Sequence, residues 1–254
     1  MQRSWKKEEL TYSLPGKQAA LLILHGFTGN PIVLKRIARH IHKEDIAIEA
    51  PLLPGHGGTV EEINSATMEQ WINTVDKTFI HLKKQHTHVF VMGYSLGSLL
   101  ALELASGRTL SGIILLSTAL KFTRSQHLRQ MIAEDTRPLI PLDEIFDKED
   151  PQRLQGYEMW PALGFCEVLR LSHRVRRRLQ NIHAPVLACH GQKDTLTPPE
   201  NLDYLKNNIG SHYVETHLLE KSHHRVVAGP DQDKIIEKSI HFIHQNLNQE
   251  KQGI

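Results

Sequence analysis

The sequence predicts an α/β fold with a mostly parallel, doubly wound sheet, and three observations carry that reading. The short apolar runs Ala19–Leu24, Val89–Met92, Gly112–Leu116 and Pro185–Cys189 lack the alternation of a half-exposed strand, so they fit strands covered on both faces. Segments with apolar residues at helical spacing alternate with them. Loops rich in glycine and histidine follow several of the runs, at the strand ends where open α/β sheets build their sites.

The totals agree with one domain over residues 1–254. With 254 residues, 40% hydrophobic and 23% charged, the chain can bury a sizeable core, and no Pro/Gly/Ser-rich linker divides it. A net charge of +2 with both signs interspersed argues against a nucleic-acid binder. The local basic run of Arg174, Arg176, Arg177 and Arg178 is read as a solvated helix face. Cys166 and Cys189 form no C-x-x-C pair and are read as buried thiols of a cytoplasmic protein. Met1 to Leu10 lacks the apolar core of a signal peptide, and no apolar run reaches the ~18 residues that span a bilayer. A cytoplasmic protein without an integral membrane segment is therefore expected.

In chain order, Ala19–Leu24 is the first buried strand. Pro31 to Lys43 carries Ile32, Leu34, Ile37, Ala38 and Ile41 at helical spacing, with Asn30 placed as N-cap and Pro31 at the first helical position. Ile46–Ile48 is the next strand, which completes a βαβ unit. Leu52–Gly58 is too rich in Gly and Pro for regular structure. Thr67 and Gln70 form a capping-box pattern that opens a helix through Trp71, Val75 and Ile80 to about Lys84. The strands at Val89, Gly112, Pro185 and Tyr213 follow, and Ile235, Ile236, Ile240, Ile243 and Leu247 mark a last helix.

One interval breaks this rhythm. Residues 117–184 separate two strands where a single helix would suffice, and an inserted helical cap over about 120–180 is expected. Phe122, Met131, Leu139, Ile140, Phe146, Met159, Trp160, Leu163 and Phe165 are candidates to line an apolar pocket or to form the cap's own core.

The chemistry centres on Gly93-Tyr94-Ser95-Leu96-Gly97, a G-x-S-x-G pattern between a strand and a helix. A serine hydroxyl attacks only if it is held clear of its backbone beside a base, and a tight strand-to-helix turn does the first. Gly93 and Gly97 are required sterically, because a Cβ at either would meet the strand or the helix. Leu96 N–H supplies one oxyanion donor, and Phe27 N–H, in the His25–Gly29 loop after the first buried strand, supplies the second. His25 itself is read as a histidine that fixes its loop. Asp194 follows the Pro185 strand and is the candidate carboxylate. Ser222-His223-His224 holds the base, and spacing alone barely separates His223 from His224. His241 with His244, and His86 with His88, lack the neighbouring ligands that a metal site needs.

Together, His25-Gly26-Phe27-Thr28-Gly29, Pro54-Gly55-His56-Gly57, Gly93-Tyr94-Ser95-Leu96-Gly97, Gln192-Lys193-Asp194 and Ser222-His223-His224 resemble the α/β-hydrolase fold, specifically its bacterial carboxylesterase and monoacylglycerol lipase branch. The resemblance covers nearly the whole chain. It implies Ser95 as nucleophile, Asp194 as acid, oxyanion donors at Phe27 and Leu96, and, from the Ser-x-His pattern of that branch, His224 as base. The chain departs from the branch at His223, where Gly is usual, and at Arg225, where an aliphatic residue is usual. The implied function is hydrolysis of short- to medium-chain acyl esters or monoacylglycerols through an acyl-enzyme, with a small-molecule ester as substrate and no cofactor or metal. Thioester or amide cleavage would use the same triad, and a catalytically silent protein could keep the pocket to bind an acyl ligand. Nothing in the sequence sets an oligomeric state.

Overall fold

The apolar runs lie side by side in one sheet. The computed structural model describes residues 7–123, 139–141 and 159–251. Its strands are β1 (Tyr12–Leu14), β2 (Ala19–Leu24), β3 (Ile46–Ala50), β4 (Val89–Tyr94), β5 (Gly112–Leu116), β6 (Leu139–Pro141), β7 (Met159–Pro161), β8 (Val186–Gly191) and β9 (Val214–Leu219). Seven of them form the main sheet in the order β1-β3-β2-β4-β5-β8-β9, while β6 and β7 pair separately and antiparallel. Only β1 runs antiparallel to its neighbour in the main sheet, so the other strands all end on the same side. That edge strand precedes Ala19 in a stretch the sequence reading left without an element.

The helices are α1 (Lys35–His42), α2 (Val60–Ser65), α3 (Met68–Gln85), α4 (Leu96–Ala105), α5 (Ala162–Arg176), α6 (Asn201–Asn208) and α7 (Gln232–Lys251). Asn30 Oδ1 accepts from Ile32 N–H at 3.0 Å, as expected of the cap, but the first turn, Pro31–Leu34, is a 3-10 helix before α1 begins. The capping box of Thr67 and Gln70 is present at the start of α3. A second box, Thr59 with Glu62, caps α2, which the sequence reading did not include.

Both faces of the sheet are covered, which explains its unbroken apolar strands. Trp71, Val75 and Phe79 of α3, Leu99 and Leu100 of α4, and Phe165 and Val168 of α5 pack on one face. Ile37 and Ile41 of α1 with Ile235, Phe242 and Ile243 of α7 pack on the other.

The segment between β5 and β8 joins strands that are direct neighbours in the sheet. Its described residues dock through polar contacts, Gly164 N–H donating to Asn64 Oδ1 at 3.0 Å and Met68 N–H to Glu167 Oε2 at 3.0 Å, while Ser172 Oγ–H donates within the segment to the Leu120 carbonyl at 2.8 Å. Phe122, Trp160 and Phe165 are buried, whereas Leu163 is 53% exposed and lines no core. Met131 and Phe146 lie outside the described residues. The basic run is not simply a solvated face. Arg174 Nε and Arg178 Nη1 both donate to Glu103 Oε1, at 2.9 and 2.7 Å, and tie the end of α5 to the buried carboxylate of α4. Cys189 is buried and Cys166 partly so, and neither is in a disulfide.

Backbone packs tightly at the start of α4. A Cβ on Gly97 would lie 2.1 Å from the Leu24 carbonyl oxygen, and one on Gly93 2.2 Å from the Gly97 carbonyl oxygen. Both obstacles are backbone and cannot rotate away. Gly97→Ala is therefore expected to lower the urea midpoint by the equivalent of about 1–3 kcal/mol, with an unchanged denaturant slope. A variant as stable as the wild type would show that this approach is not tight.

Candidate active site

Ser95 occupies the junction of β4 and α4 with φ 53° and ψ −112°, a left-handed conformation unusual for a residue with a side chain. The turn is held by hydrogen bonds on both sides. Ser95 N–H donates to the Leu116 carbonyl at 2.9 Å, and its own carbonyl accepts from Ser98 N–H at 2.9 Å and Ser98 Oγ–H at 2.5 Å. The hydroxyl is thereby lifted above the ends of β4 and β5. Ser95 is 9% exposed.

His224 reaches this hydroxyl from the loop after β9. Ser95 Oγ lies 2.9 Å from His224 Nε2, and His224 Nδ1 lies 2.8 Å from Asp194 Oδ2. The geometry assigns the protons: Nδ1–H donates to the carboxylate, which leaves Nε2 to accept from the serine. Of the two histidines that spacing barely separates, His224, the base implied by the resemblance, makes this contact. His223 is half-buried, and among the described residues its Nδ1 has no partner. The Ser222–His224 loop is anchored at several points. Ser117 Oγ–H donates to the His224 carbonyl at 2.7 Å, Ser222 Oγ–H donates to Asp231 Oδ2 at 2.8 Å, and Lys193 N–H donates to the Ser222 carbonyl at 3.0 Å. A Cβ on Gly191 would sit 2.2 Å from the His223 carbonyl oxygen, so only glycine lets β8 and this loop approach so closely.

Asp194 is buried just after β8. Its Oδ1 accepts from Leu196 N–H at 3.0 Å and Thr197 N–H at 2.9 Å, and its Oδ2 also accepts from Thr197 Oγ–H at 2.8 Å. Burial alone would raise its pKa. The charge of His224 and the hydrogen bonds from His190 and His224 outweigh burial and hold the carboxyl well below its ordinary value. Thr197, Ser117 and His190 were not singled out from the sequence. Their spacing from Asp194 and His224 carries no recognisable pattern, although an Asp three residues before a Thr in a turn is a local cue for the Thr197 bond.

Phe27 and Leu96 carry the N–H groups expected to face the serine. Leu96 is the first residue of α4, where an N–H has no intrahelical acceptor. Phe27 follows Gly26, whose Cα packs so near the turn that an added Cβ would lie 3.3 Å from Ser95 Cβ. His25 is fully buried and does not touch the serine. Its Nδ1–H donates to the Gly26 carbonyl at 2.9 Å, and its Nε2 accepts from Leu53 N–H at 3.0 Å. The Gly26 carbonyl and the Phe27 N–H belong to one peptide group, so His25 orients the donor proposed for the oxyanion. Burial holds the His25 imidazole well below its usual pKa, and His56, itself lowered to about 4 by burial, adds to the effect. The Phe27 ring packs between Trp71, Trp160 and Phe165 and joins the docked segment to this loop.

Among the described residues no group of His, Cys, Asp and Glu is placed to hold a metal ion, and no helix is long and apolar enough to cross a membrane. The arrangement can transfer a proton from Ser95 to His224 beside backbone donors, which is the equipment for nucleophilic attack on a carbonyl.

Comparison with known proteins agrees. The sequence profile of the family described as serine aminopeptidase, S33 matches residues 15–231. The chain is 29% identical to the thermostable monoacylglycerol lipase of Bacillus sp. (strain H-257), over 87% of this chain and 89% of that protein. It is 21% identical to a carboxylesterase of Bacillus subtilis (strain 168), over 91% and 95%. It also superposes with a TM-score of 0.84 on a chain from the solved structures of LipS and LipT, two metagenome-derived lipolytic enzymes. That match has 24% identity, covers 92% of this chain and 97% of the other, and speaks to the fold alone.

Because Asp194 is ionised in the fold well below the ~3.9 of an unfolded aspartate, its contribution to stability is complete above that pH and is lost as pH falls below about 4. Asp194→Asn should remove this part of acid unfolding and lower turnover by on the order of a thousandfold or more. Acid titration by circular dichroism, with ester turnover alongside, checks both; an unchanged turnover would contradict the assignment.

Proposed function

The chain belongs to the serine aminopeptidase S33 family and is a serine hydrolase, and from that premise we propose that it cleaves carboxylic esters of short- to medium-chain acyl groups or monoacylglycerols by a two-step mechanism on Ser95. The observation that carries this reading is the continuous contact from Ser95 Oγ through His224 to Asp194, 2.9 and then 2.8 Å. Two relatives that match most of the chain are named as a monoacylglycerol lipase and a carboxylesterase, which favours esters over peptides.

In the first step Ser95 Oγ bonds to the ester carbonyl carbon as its proton passes to His224 Nε2. The developing oxyanion is held by the N–H groups of Phe27 and Leu96, where loss of one such donor typically costs about 2.7–4 kcal/mol of barrier. Asp194 stabilises the imidazolium. His224 then gives its proton to the leaving alkoxide as the carbon–oxygen bond breaks. Water repeats the cycle on the acyl-enzyme and releases the acid. No redox step or metal is called for by this chemistry.

We take residues 1–254 as one domain, with the segment at about 120–180 serving as a cap on the sheet's active side. Its insertion between neighbouring strands and the packing of Trp160 and Phe165 on Phe27 support this reading. A small-molecule ester is the partner, and the free thiols Cys166 and Cys189 suit a cytoplasmic setting.

The test is hydrolysis of p-nitrophenyl esters from acetyl to palmitoyl by the wild type and Ser95→Ala. Turnover at least a thousandfold lower in a folded Ser95→Ala variant is expected, with an optimum among short and medium chains. Wild-type turnover in the variant would refute the nucleophile.

A further inference from the structure

His190 is the next-to-last residue of β8 and is fully buried, and its ring meets Asp194 and Thr197 of the loop after β8. We propose that it is a positioning residue of the active site: a second imidazole that donates to the same Asp194 oxygen as His224, fixes that carboxylate, and weakens its pull on the His224 imidazolium. The inference rests on the reading of Ser95, His224 and Asp194 as the catalytic set.

The proton on His190 can be placed by elimination. Its Nε2 lies 2.9 Å from the Thr197 carbonyl oxygen, 3.0 Å from Asp194 Oδ2 and 3.4 Å from Thr197 Oγ1. A carbonyl and a carboxylate can only accept, and the Thr197 hydroxyl spends its proton on Asp194 Oδ2 at 2.8 Å. Nε2 must therefore carry a hydrogen. Nδ1 is buried and, among the described residues, has no partner, so nothing draws the proton to that side of the ring.

Asp194 Oδ2 thus accepts from His224 and Thr197 and lies 3.0 Å from His190 Nε2, whose single hydrogen is shared with the Thr197 carbonyl at 2.9 Å, while Oδ1 holds two backbone N–H groups. His190 belongs to β8 itself, so its contact ties the carboxylate of the following loop to the sheet. Each further donor spreads the negative charge of Oδ2 and reduces its attraction for the cation that His224 becomes during catalysis. Doubly protonated His190 presents the same Nε2–H and adds a positive charge, so the sign does not depend on its charge state. Among the described residues, the groups facing His224 are Ser95 and the Tyr94 ring, 5.6 Å away at the end of β4, with Asp194 and Thr197 from the loop after β8.

The experiment follows p-nitrophenyl butyrate hydrolysis across pH for the wild type, Ser95→Ala, His190→Met and His190→Gln, with thermal midpoints for each. Met matches the length of histidine without a donor, whereas Gln carries an N–H to the position of Nε2. His190→Met should lower kcat roughly tenfold with little change in KM, and should move the acid limb of kcat/KM up by about half a pH unit. His190→Gln should restore both. A folded His190→Met with the wild-type limb, or a His190→Gln as impaired as His190→Met, would overturn the proposal. Should His190→Met fail to fold, nitrogen-15 histidine spectra of the wild type decide: a proton on Nε2 supports it, and a neutral ring protonated only at Nδ1 refutes it. Turnover persisting in Ser95→Ala would overturn the catalytic reading and this one together. An inactive Ser95→Ala with an unchanged His190→Met overturns this one alone.

Discussion

The backbone at Ser95 is the constraint on which the rest depends. At φ 53° and ψ −112° a serine is strained, and it persists only because its surroundings leave no alternative. Its N–H is bound to the end of β5, its carbonyl is held by Ser98, and the two flanking glycines let α4 press against the end of β2. The strain serves a purpose. It carries the hydroxyl away from its own strand, exposes it at the sheet's carboxyl edge, and leaves the first N–H of α4 unspent beside it. A parallel sheet makes this productive because β2, β4, β5 and β8 all end on the same side, so loops distant in sequence converge there.

Around that fixed point the polar groups divide the work between orientation and charge. His25 and Ser117 hold main-chain groups, the first at the Gly26 carbonyl and the second at the His224 carbonyl. Asp194 is different, since it is a buried anion and must be matched by donors to remain ionised. Those donors come from a short stretch, Leu196 and Thr197, and from His190 and His224 at the ends of neighbouring strands. The carboxylate is therefore the junction where the fold's hydrogen bonding meets the chemistry. Arg174 and Arg178, both on Glu103, tie the end of α5 to the nucleophile helix.

Much of this was legible in the sequence because it is local. The buried strands announce themselves as unbroken apolar runs, the turn at Ser95 by its glycines, and the caps at Asn30 and Thr67 by side chains within a few residues of the N–H groups they bind. The box of Thr59 and Glu62 carries the same signal, but beside a loop rich in glycine and proline it opens only the six-residue α2. What stayed hidden depends on partners far away in the chain. The three-residue β1 exists only because β3 offers an edge, with Ser13 opposite Glu49. Arg174 and Arg178 looked like solvent-facing charges because Glu103 is on another helix. Spacing alone does not say whether the ring of His223 or of His224 faces Ser95, whereas the Ser-x-His pattern of the resemblance points to His224. Leu163 points outward for the same reason, since only packing decides which apolar residue of a docked segment meets the core.

The claim at the centre is that Ser95 becomes acylated. Rapid mixing of the enzyme with excess p-nitrophenyl butyrate, acid quenching within the first turnover, and peptide mass mapping would test it most directly. The account predicts a butyryl group on the peptide that contains Ser95, formed together with the first equivalent of p-nitrophenol and absent from Ser95→Ala. Release of p-nitrophenol with no acylated peptide in the quenched samples, or acylation at another residue, would contradict it.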